Sequence, residues 1–199
     1  MALQDLCLAV RHGERLGLLG ANGAGKTTIL GILTQQVLAT AGDAFVQGES
    51  ILETRGSNGG PRLGYCPQAD PLLLHMTAVE QLSMFARLKG VPKDDVRKSV
   101  CEILRRVTIS EEMSRRPAVQ YSGGSKRKLA LGIALVGGVS AFLLDEPSSG
   151  MVTCQTLLCH LFWNAILMSS EKLLEGCMLA KRWTFHSLAS KGTNISWDT

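Results

Sequence analysis

Eight residues, Gly20-Ala21-Asn22-Gly23-Ala24-Gly25-Lys26-Thr27, satisfy every fixed position of the phosphate-cradling pattern G-x-x-x-x-G-K-[ST]. That pattern works only between a strand and a helix, so it constrains the fold before any other residue is read. Arg15-Leu16-Gly17-Leu18-Leu19 in front of it predicts a short buried strand. Thr27-Thr28-Ile29-Leu30-Gly31-Ile32-Leu33 behind it predicts an apolar helix. Gly20, Gly23 and Gly25 let the backbone turn and approach an anion with no Cβ in the way. The exposed N–H groups and the helix start add partial positive charge. The expected ligand is a nucleoside triphosphate with Mg²⁺. Lys26 reaches its β- and γ-phosphates, the Thr27 hydroxyl ligates the metal, and Thr28 donates to a neighbouring phosphate.

A parallel α/β architecture follows along the chain. Residues 3–10 are expected as a first strand, and Gly42–Ile51 as an antiparallel strand pair with turn glycines. Residues 54–61, rich in Gly, Ser and Asn, predict a surface loop, and Arg62–Cys66 a strand ending at Pro67-Gln68. Thr77-Ala78-Val79-Glu80 is a capping box opening a helix that stops near Gly90-Val91-Pro92. A second helix starts near Asp94 and carries Val96, Val100, Ile103, Leu104 and Val107 on one face. Ser122 caps a third, which Gly137-Gly138 ends.

Two further segments carry chemistry. Ala141-Phe142-Leu143-Leu144 reads as a buried strand terminating in Asp145-Glu146. In phosphoryl transfer, an acid at a strand end holds Mg²⁺ and a second orients the attacking water; Asp145 suits the first role and Glu146 the second. Tyr121-Ser122-Gly123-Gly124-Ser125-Lys126-Arg127-Lys128 leaves several N–H groups outward at a helix start, a second anion-binding end in one chain. One nucleotide has no need of two such ends from one subunit. The economical reading is that Ser122, Gly123 and Gly124 face a triphosphate held by another subunit.

Composition narrows the class. The 199 residues suit one domain, or one with an appendage, and 45% hydrophobic content supports a core. A net charge of +4 is too mild to argue for nucleic acid or an anionic membrane. No apolar run approaches the ~18 residues of a membrane span, and no secretory signal is expected. The six cysteines form no CxxC pair; Cys7, Cys66 and Cys101 are expected as small core hydrophobes in a reducing compartment, and no zinc site is expected.

Taken together, these motifs resemble the nucleotide-binding domain of ATP-binding cassette (ABC) transporters. GANGAGKTT resembles their Walker A loop, YCPQ their Q-loop, YSGGSKRK their signature and FLLDEPSSGM their Walker B segment, in family order. YCPQ followed by Asp70 and LLLHMT, KRKLALGIAL and DEPSSGM are most similar to the second cassette of subfamily A, the lipid exporters. The resemblance covers residues 3–151. It implies a P-loop ATPase core with an antiparallel β subdomain and a helical subdomain near residues 70–120, incomplete at both ends. It implies a cytoplasmic cassette serving transmembrane domains and paired head to tail with a second cassette. Gln68 would then sense Mg²⁺ and the attacking water and couple to the membrane helices, and Ser122, Gly123 and Gly124 would touch the partner's γ-phosphate.

The resemblance stops at Met151. The family's D-loop Asp is replaced by Val152. Its switch histidine belongs near Glu175-Gly176-Cys177-Met178, where there is none; His160 comes too early and His186 too late. All three tryptophans, Trp163, Trp183 and Trp197, lie beyond this point. Residues 152–199 are expected as a divergent tail, from alternative splicing, a retained intron or a gene-model error, lacking the strands that complete the sheet. No aromatic residue precedes Phe45, so adenine stacking is not expected. Two alternatives stay open: a truncated cassette that binds ATP or a partner without turnover, and a soluble ABC-type ATPase acting on nucleic acid or ribosomes. The absence of heptads and of a strong basic surface weighs against the latter.

Overall fold

The computed structural model describes residues 3, 6–11, 15–53, 62–139 and 141–147, together with the backbone of 177–180. The described strands are β1 (Arg15–Gly17), β2 (Phe45–Val46), β3 (Glu49–Ser50), β4 (Leu63–Cys66), β5 (Ala141–Asp145) and β6 (Cys177–Ala180). The described α-helices are α1 (Lys26–Leu33), α2 (Ala78–Leu88), α3 (Lys93–Arg106), α4 (Glu111–Ser114) and α5 (Gly123–Leu135). A turn of 3₁₀ helix at Ala118–Gln120 precedes α5.

Four strands form a parallel sheet in the order β1-β6-β5-β4, and β2 and β3 pair antiparallel, as the Gly42–Ile51 pattern predicts. Period-two alternation divides the sheet between two cores. On one face Phe142 and Leu144 of β5 and Cys66 of β4 join the apolar sides of α2, α3 and α5. On the other, Leu143 meets Leu30 and Leu33 of α1, with Leu63 and Tyr65 of β4 packed beside them. The two helices that open with glycines, α1 and α5, thus pack on opposite faces.

The helical layer follows its sequence signals. Thr77 Oγ1 accepts from Glu80 N at 3.2 Å while Glu80 Oε2 accepts from Thr77 N at 2.8 Å, closing the capping box. Donation from Thr77 N and from the Thr77 hydroxyl holds the Glu80 carboxyl below its ordinary value. Val96, Val100, Ile103 and Leu104 are the buried stripe of α3. Gln81, wholly buried, accepts from Leu73 N and donates to Leu73 O and Met76 O, fastening the irregular stretch before α2. The C-terminus of α5 is fastened by Lys89, whose Nζ donates to Ile133 O at 2.9 Å and Ala134 O at 3.0 Å. Burial pulls that ammonium down to about 8.

Three expectations are corrected. The described residues of 3–10 form no strand; Leu6 and Leu8 are exposed, and alternation without a partner ladder does not make a strand. Cys7 and Cys101 are exposed, and only Cys66 of the three is core; Cys101 lies beside the α3 stripe rather than on it. Burial pushes the Cys66 thiol up to about 11. The tail does contribute a strand: β6 lies between β1 and β5 and pairs parallel with both. Its four consecutive apolar residues suit a central parallel strand, where the period-two signal of a half-exposed strand is absent. The predicted 54–61 loop and the remainder of the tail, including Val152, His160 and His186, lie outside the described residues.

Candidate nucleotide site

In open parallel sheets, ligands bind beyond the carboxyl ends of the strands. Three of the sequence motifs end there. The glycine loop leaves β1, Pro67-Gln68 leaves β4 and Asp145-Glu146 leaves β5.

The loop has the backbone its glycines require. Gly23 (φ 84°) and Gly25 (φ 86°) occupy the left-handed region, which an L side chain rarely enters. Between them Ala24 N donates to Ala21 O at 3.1 Å, tightening the turn through Asn22. Gly25 is the N-cap of α1, with no side-chain cap, so the helix opens on bare N–H groups at Lys26, Thr27 and Thr28. The Lys26 ammonium folds over the loop and donates to Gly20 O at 2.7 Å and Ala21 O at 2.8 Å.

The acidic end of β5 faces this loop. The Asp145 carboxylate is hydrogen-bonded to the Thr27 side chain and feels the Lys26 charge. Its carboxyl is nevertheless held above its ordinary value, first by burial and then by the neighbouring Glu146 charge, against which Arg127, Lys26 and Thr27 act. Glu146 takes a left-handed backbone, φ 45°, unusual for a residue with a side chain. Gln68 Nε2 donates to Glu146 Oε2 at 3.1 Å, joining residues 78 positions apart. The expected Gln68, Asp145, Glu146 and Thr27 thus come together through two side-chain contacts.

Ser122, Gly123 and Gly124 form the start of α5, where Ser122 Oγ accepts from Ser125 N at 3.2 Å. Because α5 packs on the face opposite α1, this second glycine-rich helix start belongs to a different part of the surface from the loop. Sequence reasoning missed Arg127. It is 2% exposed and bonds to both the Gln68 and the Glu146 segments. Its signal was present but easily discounted: a lone Arg within Lys126-Arg127-Lys128 reads as a solvated basic face.

A glycine-rich loop at the end of β1, an acid at the end of β5 and a parallel sheet define a P-loop NTPase core. Family comparison is more specific. The chain belongs to the ABC transporter family, whose model matches residues 3–149. It is 44% identical over 171 residues to the phospholipid-transporting ATPase ABCA3 of Homo sapiens, covering 86% of this chain and 10% of that protein. It is 43% identical over 166 residues to the retinal-specific phospholipid-transporting ATPase ABCA4 of Bos taurus, covering 83% and 7%. The chain therefore spans about a tenth or less of the length of these relatives. The fold matches the dimeric structure of MJ0796, a bacterial ABC transporter cassette, with a TM-score of 0.76 at 20% identity, covering 90% of this chain and 79% of that one. A post-hydrolysis dimer of MJ0796 bound to ADP and Pi matches with the same TM-score, at 19% identity and over 91% and 80% of the two chains. No described helix is long and apolar enough to cross a membrane.

Proposed function

We propose that this chain is the nucleotide-binding cassette of a subfamily A lipid exporter, which binds and hydrolyses ATP to drive lipid across a membrane. The observation that carries the reading is the Gln68–Glu146 contact, at the carboxyl end of the sheet where the phosphate loop also lies. A carboxylate and an amide side by side support the reading, being the kind of pair that holds and activates a water for attack on a γ-phosphate. In this reading Lys26, with the N–H groups from Gly20 through Thr28, holds the phosphates. Glu146 takes the proton of the attacking water and Gln68 orients it.

The donor set suits Mg²⁺, which takes hard oxygen ligands. The Thr27 hydroxyl and the Asp145 carboxylate are already in contact, with the Gln68 amide nearby in the Glu146 contact. When bound, the metal would neutralise charge on the phosphate oxygens. The lipid assignment comes from the relatives named as phospholipid-transporting ATPases. A second cassette is the fitting partner, because α1 and α5 lie on opposite faces and Ser122, Gly123 and Gly124 are left for a nucleotide held by another subunit. Transmembrane domains, at the cytoplasmic face of a membrane, are the other partner. Residues 1–151 form the partial cassette, with its helical subdomain near 70–120, and 152–199 the divergent tail, which supplies β6 to the cassette's sheet. Val152 in the D-loop position and the missing switch histidine favour a second reading, nucleotide binding without turnover.

The test measures fluorescent ATP binding and phosphate release by the full chain, with Lys26→Ala and Glu146→Gln as variants. The ATPase reading expects Mg-dependent turnover. Lys26→Ala should lose binding, and Glu146→Gln should keep binding while turnover falls by about 10²–10⁴-fold, the usual worth of a general base. Binding with no turnover above the Glu146→Gln background selects the second reading. Binding insensitive to Lys26 overturns both.

A further inference from the structure

Arg127 stands out as a charged side chain that is almost wholly buried and that the scheme above leaves without a role. Five residues into α5, it reaches across to the ends of two strands. Nη2 donates to Asp145 O at 2.8 Å and Glu146 O at 2.9 Å, and Nε to Pro147 O at 3.1 Å. Nη1 donates to Pro67 O at 2.5 Å, Gln68 O at 3.3 Å and Asp70 Oδ1 at 3.0 Å. One guanidinium therefore serves five backbone carbonyls and one carboxylate, three acceptors from the Gln68 segment and three from the Glu146 segment.

An ordinary structural arginine needs no such division. Burying its charge requires acceptors and a counter-charge, and Asp70 with the loop carbonyls beside it would suffice. Here the rigid planar fork fixes the distance between two irregular segments that no backbone ladder joins beyond Cys66 and Leu144. The separation it fixes is the one that lets Gln68 Nε2 meet Glu146 Oε2. It also grips the carbonyl of Glu146, the residue whose left-handed backbone needs outside support. Lysine, with three donors on one nitrogen, cannot span the same acceptors.

We propose that Arg127 is a positioning residue for ATP hydrolysis, a cross-brace that sets Gln68 and Glu146 relative to each other. Because it sits on the helix whose N-terminus is Ser122-Gly123-Gly124, it ties that end of the cassette mechanically to the chain's own hydrolytic pair. The proposal rests on the ATPase reading for its kinetic consequence but not for its geometric one.

The experiment compares the full chain with its Arg127→Lys and Asp70→Asn variants by hydrogen exchange, thermal melting, nucleotide affinity and phosphate release. For Arg127→Lys, exchange should rise together at 68–70 and 145–146 while α2 and α3 keep their protection. Nucleotide affinity should stay within about twofold and turnover should fall roughly tenfold or more, the split that marks an effect on the hydrolytic step. Adding Gln68→Ala to Arg127→Lys should cost less than Gln68→Ala alone, because the pair is already misplaced. Asp70→Asn keeps an acceptor oxygen but removes the counter-charge of one contact only, and should loosen 68–70 while 145–146 stays protected. Unchanged exchange in both segments of Arg127→Lys, or affinity lost in step with turnover, overturns the proposal. Should Arg127→Lys not fold, unchanged exchange at 68–70 in Asp70→Asn overturns it. A wild-type chain with no turnover would defeat the ATPase reading, while the exchange comparison would still decide this one.

Discussion

Among the described glycines, Gly64 leaves the least room for a side chain, where the sheet meets the helix that carries the signature. A Cβ at this position would sit 2.6 Å from the backbone carbonyl oxygen of Ala134 and 2.8 and 2.9 Å from the Phe142 ring. Carbon and carbonyl oxygen come into contact at ~3.3–3.6 Å, so Gly64→Ala must lift α5 by roughly 0.7–1 Å or turn a buried ring out of its packing. Neither relief is easy. Phe142 is 2% exposed, and the carbonyl belongs to a helix end also fastened by Lys89. Overpacking a well-filled core costs about 1–3 kcal/mol, and backbone opposition puts this site at the upper end, about 2–3 kcal/mol. For a chain of this length each kcal/mol moves the melting temperature by about 2–4 °C, so the variant should melt about 4–12 °C lower by circular dichroism. Gly48→Ala is the control. Gly48 is also constrained, at φ 81°, but its Cβ meets nothing within 4 Å, so only the left-handed strain of about 1–2 kcal/mol applies. A Gly64→Ala protein that melts within a degree or two of wild type, or above Gly48→Ala, would refute the seating of α5 on β4.

Two further predictions concern charge. Lys89 titrates near 8 in the fold against an ordinary 10.5, so between these values the unfolded chain holds more protons and stability rises with pH. The Cys66 thiol, raised from 9.0 to about 11, works in the opposite sense above pH 9. The clean window is therefore pH 8–9, where urea titrations should show wild type gaining up to ~1 kcal/mol that Lys89→Met does not gain; equal slopes would refute it. Asp145 is raised above 3.8 by burial and by Glu146, so ionising it costs the fold stability as pH rises through its folded value. In chelator-treated buffer at neutral pH, Asp145→Asn should melt above wild type, the difference vanishing below pH 3.8, while Mg-dependent turnover is lost; a lower melting point at neutral pH would count against it.

How much of this was legible depends on whether the signal was local. The glycine loop and the capping box were, because a motif of eight residues or four carries its own geometry. The stripe on α3 was too, since helical period survives in a single sequence. The 3–10 strand failed for the converse reason: apolar spacing was present and the partner ladder was not. β6 failed because a four-residue central strand has no period to read, and its place is decided by β1 and β5 on either side.

The site divides along the same line. Residue types at strand ends identified Gln68, Asp145 and Glu146 singly, but their mutual contact spans 78 positions and no local pattern encodes it. Arg127 lies furthest from legibility. Lys126 and Lys128 flank it, each half-exposed, and only the turn of α5 puts the middle cation inward. A basic triplet on a helix is usually a solvated face, and the rule fails here because the strand ends offer five backbone carbonyls together with the carboxylate of Asp70. The sequence displays the parts of a phosphate site, whereas what aligns them is a long-range polar contact, and such contacts form only after the apolar core has fixed which way each helix faces.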